Sequence, residues 1–91
     1  LPYPPLLGVP CLIKEHIAVA GMPLTCGIVG RYGCTAIMDA PPVKKLREAG
    51  CIILGVANLA ELTWDESRNY VYGVCKNPHD FSRTPGGSSG G

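Results

Sequence analysis

Two places in the sequence hold residues able to do chemistry together. The first is Lys14, which directly follows the apolar run Val9-Pro10-Cys11-Leu12-Ile13. Lysine is seldom withdrawn from water unless it is paired. Withdrawal favours the neutral amine, and a neutral amine near pH 7 is a general base. Alternation along a strand puts Lys14 on the face of Leu12 and sends Glu15 to the other face. The plainer alternative is a lysine that marks the strand end and points to water. Position alone leaves both readings open.

The second place is Gly86-Gly87-Ser88-Ser89-Gly90-Gly91. Glycines around two serines let the backbone take angles closed to other residues and approach another group closely. The segment lacks the Gly-Lys-Ser/Thr ending of a phosphate-binding P-loop. It also lacks the G-x-S-x-G spacing of a nucleophile elbow. A flexible glycine-serine linker is the competing reading.

Other chemistries find little support. The five cysteines, Cys11, Cys26, Cys34, Cys51 and Cys75, are odd in number and form no C-x-x-C pair. His16 and His79 supply no zinc spacing. The expectation is therefore reduced, buried thiols in an intracellular protein, with no metal and no cofactor. Eight basic residues against seven acidic ones give a net charge of +1, which predicts no nucleic-acid partner. Lys44, Lys45 and Arg47 form the one local basic cluster, best read as a solvated helix face. No apolar run approaches the roughly 18 residues of a membrane-crossing helix.

The elements that must position Lys14 and the glycine loop follow from the same sequence. With 46% hydrophobic residues in 91, the chain holds enough apolar material for one small folded unit. Residues 1–7 are Pro-rich and predict an extended surface segment. Val9 to Ile13 reads as a strand buried on both faces, as in parallel sheets. Glycines and a proline at Gly21, Pro23, Gly27, Gly30 and Gly33 break up residues 15–38, leaving at most an extended piece at Ile17 to Ala20. A helix follows, with Asp39 as N-cap, Pro41 and Pro42 in the first turn and Gly50 as the stop. Val43, Leu46 and Ala49 share its inner face, away from Lys44, Lys45 and Glu48. Cys51 to Val56 is a second apolar strand. Strand, helix and strand make a βαβ unit, with parallel strands and a right-handed crossover. Lys14 and Asn58 then sit at the carboxyl edge, where open α/β sheets place their sites. Residues 59–67 predict a short helix with Leu59, Leu62 and Trp64 inward. From Arg68 onward the chain reads as loop.

In combination these segments are specific. Gly8-Val9-Pro10-Cys11-Leu12-Ile13-Lys14-Glu15 resembles the G-x-P-x-x-x-K-[DE] segment of amidase-signature enzymes. Ala20-Gly21-Met22-Pro23, the block from Asp39 to Gly55 with Asn58, Tyr72-Gly73, Asn77-Pro78 and Pro85 to Gly91 continue the likeness in order. Glu66-Ser67-Arg68-Asn69 with Tyr72-Gly73 is most similar to the fatty-acid amide hydrolases.

The resemblance implies that residues 1–91 are part of a larger α/β domain, a mixed sheet covered by helices. It implies hydrolysis of amide bonds, on a small and lipid-like amide, by a Ser-Ser-Lys triad. Lys14 matches the lysine of that triad. Ser88 matches the bridging serine, which the family holds in a cis peptide, with Ser89 as the alternative. Gly86, Gly87 and Ser89 are the implied substrate contacts. The nucleophilic serine belongs to a second glycine-rich block, expected beyond Gly91. Membrane association of the full-length protein is compatible with this reading. Two alternatives are a glutaminase-type subunit of the tRNA-dependent amidotransferases and a truncated, non-catalytic product.

Overall fold

The computed structural model describes residues 2–91. Strand β1 spans Pro10–Lys14, helix α1 Pro41–Glu48 and strand β2 Ile52–Ala57. β1 and β2 pair in parallel, as the βαβ reading requires. The ladder is irregular. Cys11 pairs with Ile53, but Leu12 pairs with Gly55, so Leu54 is one residue too many on β2. This β-bulge has a packing consequence. Ile53 and Val56, three residues apart, would face opposite ways on a regular strand. Both instead join Cys11 and Ile13 against Val19, Val43 and Leu46 in one core.

That core lies between the sheet and α1. Val43 is fully buried and Leu46 half-buried, while Lys44, Lys45, Arg47 and Glu48 are exposed. The other face of the sheet is open: Leu12, Ile52 and Leu54 are 51–64% exposed. The expectation of strands buried on both faces thus holds for one face within these residues. Among them, no helix is long and apolar enough to cross a membrane.

Several local expectations are corrected. Asp39 does not cap α1; the N-cap is Ala40, with no side-chain cap. The Asp39 carboxylate is engaged elsewhere, accepting the Ala20 amide at 2.8 Å and Arg47 Nε at 2.8 Å. It ties the preceding loop to the helix instead of closing the helix end. The Pro-rich start is not extended: residues 5–8 turn. The Leu6 amide donates to Ala49 O at 2.7 Å and the Gly8 amide to Gly50 O at 3.0 Å. Those carbonyls at the end of α1 have no intrahelical partner, so the turn supplies one.

Residues 59–67 form one 3₁₀ turn, Glu61–Thr63, and not a helix that buries three side chains. Leu59 is buried, but Leu62 is 60% and Trp64 89% exposed. Leu62 and Thr63 have φ of 53° and 58°, which interrupts helical periodicity. The Leu62 amide donates to Cys26 O at 2.9 Å. Beyond it, Arg68–Asn69 (β3) and Gly73–Val74 (β4) pair antiparallel where only loop was expected. Asn69 Oδ1 accepts the amides of Val71 and Tyr72 at 2.9 and 2.7 Å and shapes the turn between them. The cysteines are all free, though Cys34 is exposed and the other four are half-buried, less covered than expected.

Candidate active site

Lys14 ends β1 and pairs with Ala57, which ends β2. Both strands therefore release the chain at one edge. The glycine loop returns to this edge and is fastened there. The Ala60 amide donates to Ser88 O at 2.9 Å, and the amides of Gly90 and Gly91 donate to Asn58 O, each at 3.1 Å. Ser67 donates to Gly86 O through its amide at 3.3 Å and its hydroxyl at 2.9 Å. Cys75 Sγ donates to Gly90 O at 3.0 Å. A flexible linker makes no such set of bonds.

Three of the glycines, Gly87, Gly90 and Gly91, are required by close approach of the chain to itself. A side chain at Gly87 would collide with the carbonyl oxygen of Asp65 and bring its Cβ to 2.9 Å from Glu66 Cα. One at Gly90 would overlap Ser67 and come within 3.0 Å of Cys75 Cβ. The loop is thus glycine-rich because the segment 57–67 lies against its backbone.

This fastening brings the two candidate residues together. Lys14 Nζ donates a hydrogen bond to Ser88 Oγ. Both residues are half-buried, and the Gly87–Ser88 peptide is cis. A cleft of about 240 Å³ opens beside Ser88, lined by Thr63, Trp64, Asp65, Glu66 and Gly87. Gly87 and Ser89 are exposed, whereas Gly86 is half-buried and its amide donates to Thr84 Oγ1 at 3.0 Å.

Glu15, next to Lys14, is 1% exposed. Its Oε1 accepts the amides of Thr25 at 2.9 Å and Cys26 at 2.8 Å. Its Oε2 accepts the hydroxyls of Thr25 and Tyr72, each at 2.5 Å. Burial pushes the Glu15 carboxyl up, and these four donors together bring it below the usual carboxylate range. Tyr72 shifts the opposite way: burial and its bond to Glu15 hold the phenol above its ordinary value. Strand alternation sent Glu15 to the face opposite Lys14, but nothing in the pattern signalled this node. The one pointer was the acidic residue that follows the lysine in the motif. Away from the site, Cys51 titrates above an ordinary thiol because of burial and the neighbouring Cys11 thiol. Among the described residues no three His, Cys, Asp or Glu side chains gather as a metal would require.

Residues 1–91 match the Amidase family along their whole length. The chain belongs to the amidase family. Across 88 residues this amidase segment is 51% identical to Fatty-acid amide hydrolase 2-A of Danio rerio, covering 96% of this chain and 16% of that protein. It is 48% identical to a Glutamyl-tRNA(Gln) amidotransferase subunit of Treponema pallidum (strain Nichols), covering 96% of this chain and 17% of that one. Among solved structures it is similar to the corresponding Glutamyl-tRNA(Gln) amidotransferase subunit of Thermotoga maritima, with a TM-score of 0.85 and 38% identity. That match covers 92% of this chain and 19% of the other. The amidase segment therefore spans about a sixth of the curated relatives' length and carries the α/β architecture of the family.

Proposed function

We propose that the full-length protein hydrolyses amide bonds, with Lys14 as general base and Ser88 as proton relay. The observation that carries this reading is the hydrogen bond from Lys14 Nζ to Ser88 Oγ. Lys14 takes the Ser88 proton while Ser88 takes that of a nucleophilic serine supplied from outside the described residues. The proton then returns along the same path to the leaving amine. Gly87 and Ser89 offer exposed backbone to the substrate; Gly86 borders it with its polar groups already engaged.

The substrate is a fatty-acid amide in this reading. Support comes from the 51% identity to Fatty-acid amide hydrolase 2-A and from a groove of about 710 Å³ in which Leu62, Trp64, Tyr70 and Val74 stand beside the polar Glu61, Asp65, Arg68 and Asn69. The groove shares Trp64 and Asp65 with the cleft at Ser88. Lipid amides reach such a groove from a membrane surface, where the full-length protein would then work. A second reading, glutaminase activity within an amidotransferase, rests on the comparable identity to the Glutamyl-tRNA(Gln) amidotransferase subunits.

Assay of the full-length protein on oleamide and on glutamine separates the two. Oleamide turnover that disappears with Lys14→Ala supports the first reading. Glutamine hydrolysis without oleamide turnover transfers the proposal to the second. Full oleamide turnover by Lys14→Ala would overturn the role given to Lys14.

A further inference from the structure

Lys14 carries a long, flexible side chain, and a proton relay needs its amine at one place. Its own backbone is only partly fixed by the sheet, because β1 and its pairing end at this residue. The next residue supplies the missing restraint. The Glu15 amide still donates to Ala57 O at 3.1 Å, and its carboxylate then turns into the interior.

There it gathers three segments distant in sequence: the end of β1, the turn at Thr25 and Cys26, and Tyr72 between β3 and β4. Cys26 has φ of 53°, and the Gly27 amide that follows it donates to Thr25 Oγ1 at 3.1 Å, holding the hydroxyl that binds the carboxylate. No cation is among the donors. The ion is held by backbone dipoles and hydroxyls, which are fixed in direction in a way that a mobile lysine or arginine is not. Tyr72 is itself held, its amide donating to Asn69 Oδ1, while Asn69 Nδ2 donates to Asn58 Oδ1 at 2.8 Å. Asn58 in turn accepts the glycine loop through its carbonyl. The anchors of Lys14 and of Ser88 thus meet in one hydrogen-bonded frame.

From this we infer that Glu15 is a positioning residue for the proton relay, and that the Tyr72 hydroxyl holds it in place. The inference rests on Lys14 acting as the base. The Glu15 carboxylate hydrogen-bonds neither the Lys14 amine nor Ser88. It fixes the backbone from which Lys14 reaches Ser88, so its loss lowers turnover without weakening substrate binding.

The test is a double-mutant cycle in the full-length enzyme on an amide substrate, with kcat and KM measured separately. Glu15→Gln keeps the shape but sets an amide NH₂ or a single carbonyl against four donors. We expect kcat to fall roughly 10- to 100-fold with KM nearly unchanged, the scale of a modest misplacement of a reacting group. Tyr72→Phe should reduce kcat by a smaller factor in the same direction. In a Lys14→Ala background, Glu15→Gln should leave the residual kcat unchanged.

A drop of equal size in both backgrounds would make Glu15 a general stability residue and overturn the inference. So would wild-type kcat in Glu15→Gln when Lys14→Ala is inactive. Should Glu15→Gln fail to fold, the same cycle run with Tyr72→Phe decides: loss of kcat confined to the Lys14 background supports the inference, and wild-type kcat refutes it. Full activity of Lys14→Ala would remove the proposed base itself, a failure of the underlying reading visible in the same data.

Discussion

Lys14 and Ser88 are joined by a hydrogen bond across 74 residues of chain. A contact of that sequence separation depends on everything that folds between its ends. Here the intervening work is divided. The parallel pairing of β1 with β2 sets Lys14 beside Ala57, and the bonds from residues 58–67 to the glycine loop set Ser88 beside Lys14. The bonds to the glycine loop use Asn58 and Leu59, the residues just past β2, so one strand end serves both partners.

Removal of the Lys14 amine should therefore remove turnover and leave the fold. In the full-length protein, Lys14→Ala is expected to lower kcat about 10²- to 10⁴-fold, as for loss of a general base, with little change in KM. Lys14→Arg should not restore it. A guanidinium stays charged and cannot accept the proton, though it can still donate to Ser88 Oγ. Steady-state kinetics of both variants check this. Near-normal kcat in Lys14→Arg would make residue 14 a positional cation.

The outcome at individual residues shows where sequence was informative. The βαβ unit could be read because its signals are local: two apolar runs, a Pro-Pro first turn and a Gly stop around a periodic helix. Lys14 and the serine loop could be read from residue type and motif. The bulge at Leu54 could not, since it arises from how β2 must turn Ile53 and Val56 toward the same core. Asp39 has the chemistry of an N-cap, and a competing pair of donors, Ala20 and Arg47, claims it. Leu62 and Trp64 have helical spacing with Leu59, but positive φ at Leu62 overrides that pattern. Glu15 was placed by alternation, a rule about faces that says nothing of the turn at Thr25 which comes to meet it.

The carboxylate node also predicts a pH effect. Glu15 has a folded-state pKa below its ordinary value of 4.5. Its contribution to stability is therefore complete above about pH 4.5 and is lost as pH falls through the lower, folded value. The Tm difference between wild type and Glu15→Gln, measured in the full-length protein, should be constant near neutrality and shrink toward zero below that pH. Tyr72→Phe, which deprives the ion of one donor, should destabilise by about 1.5–3 kcal/mol at neutral pH. A Tm difference that grows on acidification would contradict the depressed pKa.

A polypeptide of residues 1–91 alone should neither turn over amides nor melt cooperatively. Its Ser88 is hydrogen-bonded to Lys14, the position proposed for the relay, and no second glycine-serine block lies within it to serve as nucleophile. Its sheet has two strands with one face open at Leu12, Ile52 and Leu54. A two-stranded sheet with an uncovered apolar face is marginal in water. Calorimetry and an assay on oleamide and a p-nitroanilide check both statements. Turnover abolished by Ser88→Ala in this polypeptide would show that Ser88 is itself the nucleophile.

The glycine loop offers a test that separates geometry from flexibility. If the glycines served only to keep the loop mobile, Ala at any of them would act alike. The structure orders them instead. A Cβ at Gly87 meets backbone atoms of Asp65 and Glu66, which cannot swing aside as a side chain can. Gly30, which lies outside this loop and serves as a control, has nothing within 4 Å of an added Cβ. In the full-length protein, Gly30→Ala should stay within about 0.5 kcal/mol of wild type, as an ordinary surface change does. Gly87→Ala should destabilise by roughly 1–3 kcal/mol, the cost of forcing an extra methyl into a packed site. Because Gly87 immediately precedes Ser88, the strain is expected to displace Ser88 Oγ from Lys14 Nζ. The residual folded Gly87→Ala enzyme should then lose kcat beyond what its folded fraction explains. Denaturant melts paired with kcat per folded molecule measure the two effects separately. Equal stability of Gly87→Ala and Gly30→Ala would mean that segment 57–67 does not hold the loop as described.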